Sequence, residues 1–82
     1  MSKNNVVVKN VKFSCVEDVK KFVRYAEQQS FEIDLVNGRY VIDGKSIMGI
    51  FSLDLSTPKM LEIHASNDEA EGFLEKIKDI CM

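Results

Sequence analysis

Apolar and polar positions follow two different periods along this chain, and the switches between them mark its elements. Val6-Val7-Val8 is a β-branched run that predicts a first strand ending near Lys9, with Asn10 to Phe13 as a connecting loop. Val16, Val19, Phe22, Val23 and Ala26 then recur at helical spacing, which predicts a helix reaching about Gln28. Ser14 stands three residues before Glu17, the S-x-x-E pattern of a capping box that opens such a helix. The opposite face carries Glu17, Lys20, Lys21, Arg24 and Glu27, a solvated face in which Glu17 and Lys21 form a favourable i,i+4 pair. From Phe31 to Val36 the period drops to two, and Asn37-Gly38 is a hairpin signal. A two-residue turn there would pair Val36 with Arg39 and Leu35 with Tyr40. That register puts Phe31, Ile33, Leu35, Tyr40 and Ile42 on one face. Glu32, Asp34, Arg39 and Asp43 fall on the other, with Val36 and Val41 as exceptions.

After the turn pair Asp43-Gly44, Ser46 is placed to cap a helix of about two turns at ~3.6 residues per turn. Ile47, Ile50 and Leu53 would fill its inner stripe, which leaves Met48 and Phe51 on a second stripe facing away from the core. A small soluble domain has little reason to leave two such side chains adjacent on its surface unless something covers them. Gly49 costs about 0.8–1.0 kcal/mol against alanine in a helix, which points to a close approach at that position. A turn through Asp54, Ser56, Thr57 and Pro58 follows. Met60 to Ala65 alternates again, with Leu61, Ile63 and Ala65 inward and Met60, Glu62 and His64 outward. Ser66-Asn67 can cap a last helix whose apolar positions are Ala70, Phe73, Leu74, Ile77 and Cys81. Asp68, Glu69 and Glu71 near its start and Lys76 and Lys78 near its end suit the helix dipole.

The order strand, helix, strand, strand, helix, strand, helix implies an α+β sandwich of two layers, with the helices on one face of the sheet. At 82 residues the chain makes one domain, 1–82, with one modest core. A formal charge of -2 gives no electrostatic footprint for nucleic acid. No apolar run approaches the ~18 residues of a membrane span, and Met1-Ser2-Lys3-Asn4-Asn5 lacks signal-peptide character. The 2 cysteines have neither zinc-ligand nor disulfide-scaffold spacing, so a cytoplasmic protein with reduced thiols is expected. A monomer with no metal and no cofactor is expected as well.

Lys45-Ser46-Ile47-Met48-Gly49-Ile50-Phe51-Ser52-Leu53 resembles the regulatory-serine helix of the histidine-containing phosphocarrier protein (HPr) family of the bacterial sugar phosphotransferase system. The element order resembles that family over the whole chain. The resemblance implies a four-stranded antiparallel sheet of order 1-4-2-3 under three helices. It also implies that Ser46 corresponds to the serine phosphorylated by an ATP-dependent kinase in many Gram-positive bacteria. The apolar residues after it, Ile47, Met48 and Phe51, would be the partner-docking face. The family's Gly-x-His-Ala-Arg-Pro motif at the start of the first helix is not matched, since the corresponding residues read Phe13-Ser14-Cys15-Val16-Glu17-Asp18. Cys15 stands at the phosphohistidine position and Glu17 at the arginine position. Phosphoryl transfer depends on positive charge around the travelling group, and Glu17 and Asp18 reverse that sign.

These residues point to a non-enzymatic, protein-binding regulatory module with no catalytic residue. Its partners would be a serine kinase or components of the transport and regulatory system. The alternative is a thiol-based phosphocarrier or redox protein using Cys15, whose helix-start position lowers a thiol pKa while Glu17 and Asp18 oppose that effect. His64 reads as an ordinary exposed histidine. Gly44-Lys45-Ser46 imitates the end of a P-loop, but that motif requires glycine where Arg39 stands.

Overall fold

In a computed structural model that describes residues 5–82, the two periods settle into seven elements. They are β1 (Val7–Val11), α1 (Val16–Glu27), β2 (Glu32–Asn37), β3 (Tyr40–Asp43), α2 (Ile47–Phe51), β4 (Lys59–His64) and α3 (Asn67–Lys76). Met1 to Asn4, part of the stretch read above for a leader signal, lie outside the described residues. The strands form one antiparallel sheet of order β1-β4-β2-β3, as the family resemblance implies. β4 sits between β1 and β2, so its inward residues Leu61 and Ile63 are wholly buried and Ala65, just past its end, is nearly so. They join Ile33 and Leu35 of β2 and Val19, Phe22, Val23 and Ala26 of α1 in a single core cluster. Ile50 of α2 and Ala70 and Phe73 of α3 complete it, so all three helices cover the same face of the sheet. Phe22 is the centre of this packing. Its ring meets Phe13 edge-on at 5.5 Å and Phe73 at 5.7 Å, the arrangement that aligns positive ring edges with negative faces.

Several local details depart from the sequence expectation. The cap of α1 is Cys15, not Ser14, and it makes no side-chain cap bond. The Ser14 N–H donates to Asp18 Oδ2 at 2.8 Å, so Asp18 does what the predicted box assigned to Glu17. The helix starts late enough that Val16 is exposed instead of joining the core stripe. Glu17 faces Lys20 at 3.9 Å, while Lys21 reaches Asp79 at 2.7 Å, so the expected Glu17–Lys21 pair does not form. A long-range carboxylate outcompetes the local one.

The hairpin turn comprises Gly38 and Arg39, so Asn37 pairs with Tyr40 and Leu35 with Ile42, two residues from the expected partner of Leu35. Gly38 has φ 63, and no non-glycine residue described has positive φ, which is the sign pattern of a II′ turn with glycine at its first central position. Because the shift is even, the facing of the side chains is preserved. Only Tyr40 suffers, ending beyond the core and exposed.

The expected loop from Asn10 to Phe13 instead extends β1 to Val11, which is fully buried opposite Lys59. Lys59 is itself buried, its stem covering the core while Nζ donates to Thr57 Oγ1 at 2.8 Å. Of the expected cap pair Ser66-Asn67, Ser66 caps α3, and it does so in a complete capping box with Glu69. Cys81 lies past that helix, half-buried, in an isolated bridge to Val11, with Ile80 buried beside it. The Lys12 N–H donates to the Ile80 carbonyl, and the Met82 N–H to that of Asn10, both at 3.0 Å.

Candidate functional site

The short helix α2 is held at its start by Ser46, whose Oγ accepts the Gly49 N–H at 3.2 Å. Gly49 is required by packing, because a Cβ there would lie 2.8 Å from Ile42 Cγ2 on β3. That close approach fixes the rotation of the helix. Ile50 is driven fully inward, Ile47 and Leu53 are half-buried, and Met48 is turned out. Met48 is 79% exposed and Phe51 42%, so the outward stripe read from the sequence is present. Lys45 donates from Nζ to the Gln29 carbonyl at 2.9 Å, tying the approach to the helix to the end of α1.

Phe51 also lines a shallow groove whose other walls include Phe13, Ser14, Cys15, Val16 and Leu55. The tertiary structure thereby joins two stretches that are far apart in sequence, the outward face of α2 and the first turn of α1. Cys15 is exposed there, in extended conformation at the helix cap, with Glu17 and Asp18 in the turn that follows. An uncapped N-terminus would attract an anion, and these two carboxylates oppose it. Cys81 is different in kind, since burial pushes its thiol above the ordinary value, partly offset by Lys9.

Outward-facing residues of β2 and β4 form a second cluster that the sequence reading left dispersed. His64 Nε2 lies 3.0 Å from Asp34 Oδ2, and its side chain is 37% exposed, so it is partnered and not a free surface histidine. Asp34, Glu62 and His64 bring one nitrogen or oxygen each within 4.8 Å of one another. The signal was the outward parity of all three. The pairing of β2 with β4 that aligns them was not written in either strand alone.

A sheet ordered β1-β4-β2-β3 beneath three helices, with a serine-capped helix beside the start of α1, defines an open-faced sandwich of the small phosphocarrier class. The model of the PTS HPr component phosphorylation site matches residues 3–82, and the chain belongs to that family. Among solved structures, the phosphocarrier protein HPr from Bacillus anthracis is 24% identical with a TM-score of 0.67, covering 89% of this chain and 98% of its own. HPr-C-His from Thermoanaerobacter tengcongensis is 27% identical with a TM-score of 0.63, covering 92% of this chain and 88% of its own. A histidine-containing phosphocarrier protein of Mycoplasma shares the fold at 17% identity and a TM-score of 0.64, over 92% of this chain and 89% of that one. A comparison with curated protein sequences finds no match. Among the described residues, no helix is long and apolar enough to cross a membrane.

Proposed function

We propose that this member of the HPr family works as a regulatory protein-binding module and does not relay phosphate through a histidine. The observation that carries the reading is the outward pair Met48 and Phe51, continuous with the groove at the start of α1. Ile47, Met48 and Phe51 form the docking surface, and burial of Met48 and Phe51 against a partner offsets their present exposure to water. The position that the family resemblance assigns to the phosphohistidine holds Cys15, and Glu17 replaces the arginine. With two carboxylates in that turn, an arriving phosphoryl group meets repulsion where a carrier supplies positive charge. The protein acts by binding, in the cytoplasm, on a kinase or on other components of the phosphotransferase system.

Ser46 is the regulatory position. Phosphate there would meet the start of α2 and add charge beside Met48, changing which partner docks. Incubation with a serine kinase of the family and ATP, followed by mass mapping, is expected to place one phosphate on Ser46. A clean spectrum would leave that serine as a helix cap only. The docking surface is tested by affinity capture from source cells with wild type and Met48→Asp protein. Loss of specific partners with the variant is expected, and identical partner sets would remove this surface from the account.

A second reading, a thiol carrier at Cys15, draws on that residue's exposure and cap position. It requires label from phosphorylated enzyme I to appear on Cys15. The acids at Glu17 and Asp18 lead us to expect none.

A further inference from the structure

The strongest arrangement outside the docking surface lies on the sheet face that the helices leave uncovered. In β2, Asp34 stands directly opposite Glu62 of β4 on one side and opposite Asp43 of β3 on the other. Three carboxylates therefore run in a row across three adjacent strands. Like charges placed directly opposite each other are destabilising in a sheet, so this row needs a cation to relieve it. Among the described residues, no lysine forms an ion pair with Asp34 or Glu62. Lys45, which lines one hollow with Asp34 and Asp43, sends its ammonium to the Gln29 carbonyl. Asp43 is occupied otherwise, with Oδ1 accepting the Lys45 backbone N–H at 2.9 Å. Among the described residues, the ion pair that reaches Asp34 is the one from His64, and it is made from the diagonal position, since His64 pairs directly with Glu32.

We propose that Asp34, Glu62 and His64 form a binding site for a divalent transition cation of the zinc class. The donor set is one imidazole nitrogen and two carboxylate oxygens, all within 4.8 Å. Two carboxylates and a neutral imidazole match a doubly charged ion, and water completes a four-coordinate shell. The 3.0 Å between His64 Nε2 and Asp34 Oδ2 is close to the ~3.3 Å between two donors that each lie about 2.0 Å from one tetrahedral zinc. Glu62 has the longest reach of the three and closes the remaining distance by a side-chain rotation. An imidazole in the set favours zinc over calcium or magnesium, which take oxygen ligands in larger numbers. All three ligands stand on paired strands, so their spacing is fixed by sheet hydrogen bonding and not by a loop. None of them lines the groove at Cys15 and Phe51, so the cation site can fill while a protein partner is docked.

The test is zinc titration of the full chain by calorimetry, with a thiol-free reductant present. It is read alongside the His64 imidazole signals in the NMR spectrum. Wild type is expected to take up one equivalent at this site, with the His64 ring signals shifting as it fills. His64→Gln is expected to lose that equivalent, and Asp34→Asn to weaken it by at least about tenfold. Glu71→Gln on α3 serves as the charge-matched control and should bind as wild type does. Zinc held by the cysteines persists in every variant and subtracts out. Circular dichroism shows whether His64→Gln is folded, and if it is not, Asp34→Asn decides. Equal uptake by wild type and the informative variant, uptake without movement of the His64 signals, or no uptake by wild type would each overturn the site.

Discussion

At the scale of single residues, glycine 49 shows how packing outranks propensity. Replacing it by alanine should gain about 0.8–1.0 kcal/mol of helix propensity. The added Cβ would, however, lie 2.8 Å from Ile42 Cγ2 and 3.3 Å from Ser46 Oγ. Overpacking of this kind costs about 1–3 kcal/mol, so Gly49→Ala is expected to lose up to about 2 kcal/mol in a denaturant melt. A variant more stable than wild type would show that α2 can back away from β3. The need for glycine here was readable from the sequence as an unexplained cost. What approached it was not. Ser46, Met48 and Phe51 were legible because a cap and an outward stripe are defined within one short segment. Ser14 was misread as a cap because several polar residues near a helix start can serve, and the backbone selected Cys15 with Asp18 as the supporting acid.

At the scale of elements, the attachment of the C-terminal segment to α1 runs through Lys21 and Asp79. Hydrogen bonding from Lys21, reinforced by its charge, holds the Asp79 carboxyl below its ordinary value. A carboxylate depressed in the folded state contributes stability above its unfolded value, and that contribution is lost as pH falls through the depressed folded value. Lys21→Met should therefore move the Asp79 titration, followed by carbon-detected NMR, up towards its ordinary value and flatten this part of the acid transition. An unmoved Asp79 would mean that the 2.7 Å contact is not maintained in solution. The hairpin belongs to the same scale. Asn37-Gly38 announced a turn, but either residue pair around Gly38 can occupy its centre. The left-handed φ at Gly38 alone, with Asn37 paired to Tyr40, selected the II′ geometry.

At the scale of the whole molecule, stability rests on a core that one residue joins to both layers. Phe22 touches Phe13 ahead of α1 and Phe73 on α3, and it lies fully buried in the cluster that includes the sheet. Phe22→Ala should cost about 3–5 kcal/mol, a large share of the ~5–15 kcal/mol that holds a small domain folded. A shift of the urea midpoint corresponding to that loss, with unchanged slope, is the expected result. A loss below about 1 kcal/mol would mean the core recloses around the gap.

The amino-acid sequence by itself determined the order and kind of the elements, the inward residues of β2 and β4, those of α1 apart from Val16 and of α3 as far as Phe73, and the outward stripe of α2. Each of these depends on a periodicity repeated within one segment, where local geometry dictates which side chains share a face. Tertiary structure decided what lies opposite what. The pairing of β2 with β4 gathered Asp34, Glu62 and His64, and the packing of α2 near the start of α1 put Phe51 and Cys15 on one groove. It also drew Val11 inward from what read as a loop position and buried Lys59 opposite it. Such contacts join residues tens of positions apart, and their geometry follows from the competition of all segments for one shared core. No single segment carries that information.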